Sequence, residues 1–410
     1  MASTTIERPT VESLPSSAHR VALQRTDQFV GRTTNWLYDH LRFVPRYVPF
    51  VLSDALMNRD EFPELEAWRV APSTLSRRLW RRLTRARVFP LDVWKIKRLQ
   101  PCLLHSHFGY VAAEDLELAQ ALGIPWVVSF YGADVYQLGR LEKWRATYRS
   151  IFTHVDRVLA LGPVMARHLE QLGCPRERIA IHPLGVDVND LPNTPRRLKR
   201  GEPLRLLFAG TFREKKGIRY VIEATALVRR AGGNISLVIV GDVSSKPGDQ
   251  ETKEGVLQLI RQLDLESIVT HHSFLPFRQL IDLALHSHVF VAPSVTAENG
   301  DAEGTPFVLQ QMMATRMPAI ATVHSDIPFL FGEHDSLLVP ERNVDAIADR
   351  ICCYLDDPQR LEIDGTKMYE QVRSLLNIDH CATRLSEVYD ELLSLTVKKV
   401  VTKPYRHVAL

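Results

Sequence analysis

Short β-branched runs alternate with amphipathic stretches along most of this chain, and that alternation limits the fold more than any other feature. Parallel strands need a long crossover, usually a helix, so a strand–helix–strand repeat closes into parallel sheets covered by helices. The candidate strands before residue 185 are RVALQ, YVPFVLS, CLLHSH, WVVSFYG, RVLALG and RIAIHP; those after residue 203 are LRLLFAG, ISLVIVG, IVTHHSF, HVFVAPS and PAIAT. Several are near-continuous apolar runs, as strands buried on both faces require. Two α/β domains are expected, residues 1–185 and 204–390. The segment 186–203, with three prolines and a basic cluster, reads as the linker. Beyond Pro340 the apolar residues recur at helical spacing, ending in a tail at 391–410; either domain could receive these helices.

Composition agrees with this. At about 150 residues per domain, 410 residues make two to three domains. The 45% hydrophobic and 24% charged content excludes collagen, disorder and a coiled coil. The net charge of +3 conceals a split: residues 1–200 carry about +9 and the remainder about −6. Five cysteines are odd in number and spaced for neither a disulfide framework nor a C-x-x-C metal site, which predicts a reducing compartment. The first residues contain no apolar core of a signal peptide, and no later stretch reaches ~18 uninterrupted apolar residues. The expectation is a cytoplasmic protein without a transmembrane helix.

Ligands in open parallel sheets bind beyond the carboxyl ends of strands, so the strand-to-helix junctions are the places to look for chemistry. One junction reads LLFAGTFREKKGIRYVIEA: Gly210 ends a strand, Arg213, Lys215 and Lys216 follow, and Gly217 opens a helix. Helix N–H groups and side-chain cations converging on one point form a diphosphate site; the alternative is a solvated basic loop. A second junction, VFVAPSVTAENGDAEGTPFVLQQMMA, starts its helix near Thr305 and Pro306, and the amides of Gly304, Thr305, Pro306 and Phe307 mark a second phosphate-binding turn. Proline has no N–H, so Pro306 contributes only its preset helical φ. Glu303 just before this turn would accept hydrogen bonds from sugar hydroxyls, or would cap the helix.

Several cofactor motifs are missing. The chain has no G-x-G-x-x-G after a first strand, no G-x-x-x-x-G-K-[ST], no G-x-S-x-G and no H-E-x-x-H, which disfavours dehydrogenase, P-loop and α/β-hydrolase readings. His105 with His107, and His271 with His272, lie in strands without a third ligand nearby, so they are expected to be core or active-site histidines and no metal is expected.

Six motifs in one order, HSHFG (His105 to Gly109), SFYGADV (Ser129 to Val135), IHPLGVD (Ile181 to Asp187), FREKKG (Phe212 to Gly217), GDAEGTP (Gly300 to Pro306) and HSDIP followed by SLLVPERN, give the chain its resemblance to retaining glycosyltransferases of family 4. Within that family it is most similar to the colanic-acid-type enzymes of bacterial exopolysaccharide synthesis. The resemblance implies the GT-B fold, two facing Rossmann-like domains with parallel sheets and a C-terminal helical tail. It also implies an acceptor site in the first domain, a nucleotide-sugar site in the second, and transfer of a hexose-type sugar with retention and without a cofactor or obligatory metal. The catalytic set carried over by position is Glu303, Lys216, Arg213, Tyr131 and Asp134; the substrate-binding set is Gly210, Thr211, Gly304, Thr305, Pro306, Phe307, Gln311 and His107. Lys216 and Arg213 would neutralise the leaving diphosphate, and Glu303 would contact the donor sugar.

The chain also departs from the family pattern. The second family glutamate is Gln311, which keeps a carbonyl acceptor and loses the charge. Thr211 replaces an arginine, Tyr131 a histidine and Phe329 an acid. Tyr131 is either near the transferred sugar or a packing aromatic at a strand end. These departures leave two other readings open: a GT-B protein with a degraded donor site that acts as a binding or partner subunit, and a non-hydrolysing sugar-nucleotide epimerase.

Residues 77–98 hold about nine basic residues and one acid, interleaved with Leu79, Trp80, Leu83, Val88 and Phe89. Such a segment suits an anionic membrane surface at its inner face and a lipid-linked glycan acceptor, or else a solvated helix packing by its apolar stripe. No nucleic-acid-binding motif accompanies it, so no nucleic-acid partner is expected.

Overall fold

The structure is a computed structural model and describes residues 20–401 apart from 32–33, 35, 59–61, 63–64, 70–74, 85–88 and 245–247. Part of the basic stretch therefore lies outside the described residues, as do the side chains at positions 77, 78 and 81.

The described residues form twelve strands: β1 Arg20–Phe29, β2 Tyr47–Leu56, β3 Ala67–Arg69, β4 Leu103–His107, β5 Trp126–Ser129, β6 Arg157–Ala160, β7 Ile179–Ile181, β8 Leu204–Ala209, β9 Ile235–Val240, β10 Val269–His272, β11 Val289–Ala292 and β12 Ala319–Ala321. Each of the eleven expected strands is among them. The exception, β3, has three residues, two of them exposed, and is too short to display a period; its pairing with β2 holds it in the sheet. One sheet runs β3-β2-β1-β4-β5-β6-β7 and the other β10-β9-β8-β11-β12. Pairing is parallel at β1–β2, β1–β4, β4–β5, β8–β9, β8–β11, β9–β10 and β11–β12, as in Rossmann-like sheets.

Strand β8 shows why these runs are apolar throughout. Leu204, Leu206 and Phe208 point into a core with Val221 and Ile222 of the helix Ile218–Arg230, while Leu207 and Ala209 face an opposite core with Leu309, Met312 and Met313. Of this strand only Arg205 is partly exposed, and each fully buried leucine contributes about 2 kcal/mol. In the second sheet β8 leads to β9 on one side and has β11 on the other, so the strand order reverses between β8 and β11. Crevices at such reversals are where ligands sit in open parallel sheets.

The chain forms two compact units. The first comprises the residues up to Ser129 with Ser150–Val158 and the chain from Ala382 onward; the second comprises Phe130–Arg149 and Leu159–Cys381. In the first unit, the part of helix Ile378–Val401 beyond Ala382 packs on the N-terminal strands. Asp390 pairs with Arg20 at 2.8 Å and Arg46 at 2.9 Å, and Tyr389 Oη lies 2.6 Å from His105 Nδ1. In the second unit, Arg196, from the segment expected to be the linker, is buried and donates to the carbonyls of Ala284, Ser287 and Thr315. Among the described residues no helix is long and apolar enough to cross a membrane.

Candidate active site

The site in the second unit is built on β8 and β11. After β8, Gly210 N–H donates to Val240 O at 3.0 Å, Glu214–Lys216 form one tight turn, and Gly217 starts the next helix at φ 64°. A Cβ on Gly217 would lie 1.8 Å from Pro293 O, so this turn requires glycine both for its backbone angle and for its contact with the end of β11. Val295 N–H donates to Lys215 O at 2.9 Å and fixes the two loops together.

That junction aims the basic loop at Glu303. Lys215 Nζ lies 3.1 Å from Glu303 Oε1 and Lys216 Nζ 3.1 Å from Oε2. Glu303 is 8% exposed and Lys215 9%, so neither a solvated basic loop nor a helix-capping glutamate describes the site. Burial alone would push the Glu303 carboxyl up; the charges of Lys215 and Lys216 outweigh it and hold the carboxyl well below the ordinary carboxylate range. Asp301, 1% exposed, takes the next cations, with Lys215 Nζ at 3.2 Å from Oδ1 and Arg213 Nη2 at 2.5 Å from Oδ2. Arg213 Nε is also 3.7 Å from Asp249, so its charge is shared between two buried carboxylates. Gly210 borders the aliphatic chain of Lys216, and Thr211 O accepts Arg213 N–H at 2.8 Å.

The loop after β5 reaches the same place. Asp134 is buried and accepts the N–H groups of Gly132 at 2.8 Å and Tyr131 at 3.1 Å, and Tyr148 Oη donates to Asp134 O at 2.7 Å. Asp134 thus shapes its own loop. Gly132 has φ 147°, and a Cβ there would lie 3.2 Å from Ala302 O. Gly304 is equally tight against Tyr131 O and the Leu161 and Met165 side chains, so its small size serves protein packing. Tyr131, Asp134, Glu303 and Gly304 are consequently neighbours.

Helix Phe307–Ala314 begins after Pro306, and no side chain caps it. Beside this positive end, Thr305 Oγ1 is buried with no hydrogen-bond partner among the described residues. Gln311 is half-buried on the first turns of that helix. His107 belongs to the first unit, where Nε2 lies 3.0 Å from Gln24 Oε1 and the ring stacks on His105 at 4.2 Å. Among the described residues no group of three or more His, Cys, Asp and Glu could hold a metal ion.

Sequence reasoning missed three members of the cluster: Asp301, His324 and Glu341. His324 Nε2 accepts Glu303 N–H at 3.1 Å, and His324 Nδ1 lies 2.5 Å from Glu341 Oε1. The signal available was positional: His324 follows β12, and Asp301 and Glu303 are two residues apart in the loop after β11.

Residues 192–373 match the family described as Glycosyl transferases group 1, and residues 12–185 match the Glycosyl transferase 4-like domain. The chain is 32% identical over 254 residues to WcaL of Escherichia coli K12, named as a colanic acid biosynthesis glycosyltransferase, covering 61% of this chain and 60% of that one. It is 31% identical over 245 residues to the amylovoran biosynthesis glycosyltransferase AmsK of Erwinia amylovora, covering 59% and 58%. The matched segments therefore span about three fifths of these relatives' length. The structure superposes on Anabaena Alr3699/HepE, solved in complex with UDP and glucose, with TM-score 0.73 at 16% identity, covering 91% of this chain and 100% of that one. The fold is GT-B, and the chain joins a glycosyl transferase 4-like domain to a domain of glycosyl transferases group 1.

Proposed function

We propose that this chain is a retaining glycosyltransferase of polysaccharide biosynthesis, moving a hexose-type sugar from a nucleoside-diphosphate sugar to a glycan or lipid-linked acceptor. The observation that carries the reading is the buried Glu303 carboxylate held between two lysines beside an uncapped helix start. In the proposed step the bond from the anomeric carbon to the diphosphate breaks and its electron pair leaves with the phosphate. The acceptor oxygen bonds to that carbon on the same face, and its proton passes to the leaving phosphate oxygen. Lys216, with the helix start, neutralises the charge that develops on the phosphate, so no metal is required. Glu303 accepts from the donor sugar hydroxyls, Gln311 from the ribose, and Tyr131, on the loop that Asp134 shapes, borders the transferred sugar.

The acceptor is proposed to be presented at an anionic membrane, at its inner face. Helices Leu75–Thr84 and Pro90–Arg98 expose Leu79, Leu83, Leu91 and Trp94 near Arg82, Lys95, Lys97 and Arg98, a combination that supports interfacial binding.

The test is incubation of the purified protein with UDP-, GDP-, ADP- and dTDP-sugars. Slow donor hydrolysis is expected with at least one of them, and a glycosidic product should keep the donor's anomeric configuration by NMR. No turnover with any donor removes the proposal. A binding-only subunit, suggested by Thr211 and Gln311, predicts donor binding with no turnover, and an epimerase predicts interconverted free donors.

A further inference from the structure

The main chain of Glu303 is held by a histidine whose two ring nitrogens have different partners. The Glu303 amide donates to His324 Nε2 at 3.1 Å, so Nε2 carries no proton. Nδ1 lies 2.5 Å from Glu341 Oε1, and a carboxylate accepts, so Nδ1 carries the proton. Burial pushes the Glu341 carboxyl up, but the His324 hydrogen bond and the Thr296 N–H, 3.0 Å from Oε2, outweigh it and keep the carboxyl below its ordinary value. His324 is 1% exposed, so water does not compete for either ring nitrogen. Thr296 and Glu303 both lie in the loop after β11, and Glu341 and His324 together grip both.

We propose that His324, fixed by Glu341 as the Nδ1–H tautomer, is a positioning residue that sets where Glu303 stands in the donor site. The inference rests on the reading of Glu303 as the donor-sugar contact. His324 meets Glu303 through its backbone N–H, and through it fixes the carboxylate that Lys215 and Lys216 flank. Misplacement of such a group by about 1 Å costs on the order of 100-fold in rate.

Long-range proton–nitrogen correlation on the ¹⁵N-labelled full chain reads the tautomer, with the His324 signals identified by their loss in His324→Gln. A protonated Nδ1 and bare Nε2 at neutral pH are expected, and Glu341→Ala should shift the ring toward Nε2–H. An Nε2–H or doubly protonated ring in the wild type overturns the proposal. In donor turnover, His324→Ala should lower kcat about 100-fold with a much smaller change in donor KM. His324→Gln, whose Oε1 can accept the Glu303 N–H from the place of Nε2, should recover most of that loss. A glutamine variant no better than alanine overturns the positioning role. Failure of the wild type to turn over any nucleotide sugar would strike the reading of Glu303 itself, and the tautomer spectrum is read independently of it.

Discussion

The Lys216 ammonium stands 3.1 Å from Glu303 Oε2, each side chain mostly withdrawn from water. On the proposed reading, a diphosphate arriving at the start of helix Phe307–Ala314 would compete for that cation. Lys216 is therefore the group whose partner can change from carboxylate to phosphate. Lys215, paired with Asp301, Glu303 and the Ala302 carbonyl, is tied to the fold.

The two lysines should consequently separate by experiment. Lys216→Ala is expected to lower donor kcat/KM by about 100- to 1000-fold while its urea unfolding midpoint stays near wild type. Lys215→Ala takes one cation from two buried carboxylates, leaving Asp301 with Arg213 and Glu303 with Lys216, and should cost about 1–3 kcal/mol in the same unfolding measurement. Equal stability losses in both variants would contradict this division.

Glu303 should make stability depend on pH. Its carboxyl is held low in the folded chain, so its contribution is fully present above the unfolded value of about 4.3 and declines as the pH falls toward the folded value. The stability difference between wild type and Glu303→Gln, followed by denaturant titration, should thus be largest near neutrality and shrink below about pH 4.3. A difference that grows in acid would show that the lysines do not hold the carboxylate.

How much of this was legible beforehand differs between scaffold and site. Strands such as LRLLFAG and ISLVIVG announce themselves because both faces are buried, whereas β3 has too few residues to show a period. FREKKG and GDAEGTP marked Lys216 and Glu303 because glycines and charges cluster at strand ends. The partners of those residues were not legible: Asp301 joins Arg213 and Lys215 across 86 to 88 positions, and His324 meets Glu303 only because β12 lies beside β11. The Asp134 contacts with its own loop were local, yet a sequence does not distinguish a carboxylate that shapes a turn from one that faces a ligand.

Gln311 offers a gain-of-function test. A carboxylate at this position would accept charge-assisted hydrogen bonds from ribose hydroxyls, roughly 1 kcal/mol stronger than those to an amide. Gln311→Glu is expected to lower the donor Kd about fivefold in calorimetric titration, with kcat nearly unchanged. Weaker binding in this variant would mean that position 311 does not face the nucleoside.

The exposed apolar groups on the basic helices predict salt-sensitive membrane binding. Leu83 is 75% exposed and Trp94 53%. Flotation with phosphatidylglycerol-containing vesicles should recover the wild type at low salt, and the double variant Leu83→Glu, Trp94→Ala should bind several-fold less. Equal recovery with neutral vesicles would remove the anionic surface as the partner.

The central claim is that a nucleoside diphosphate occupies the place where Lys216 and Glu303 meet. Calorimetric titration of UDP, GDP, ADP and dTDP into wild type and Lys216→Ala tests it most directly. The account predicts that at least one nucleotide binds the wild type and binds the variant at least about tenfold more weakly, the loss of one charge-assisted contact. No binding by any nucleotide, or equal binding by both proteins, would contradict it.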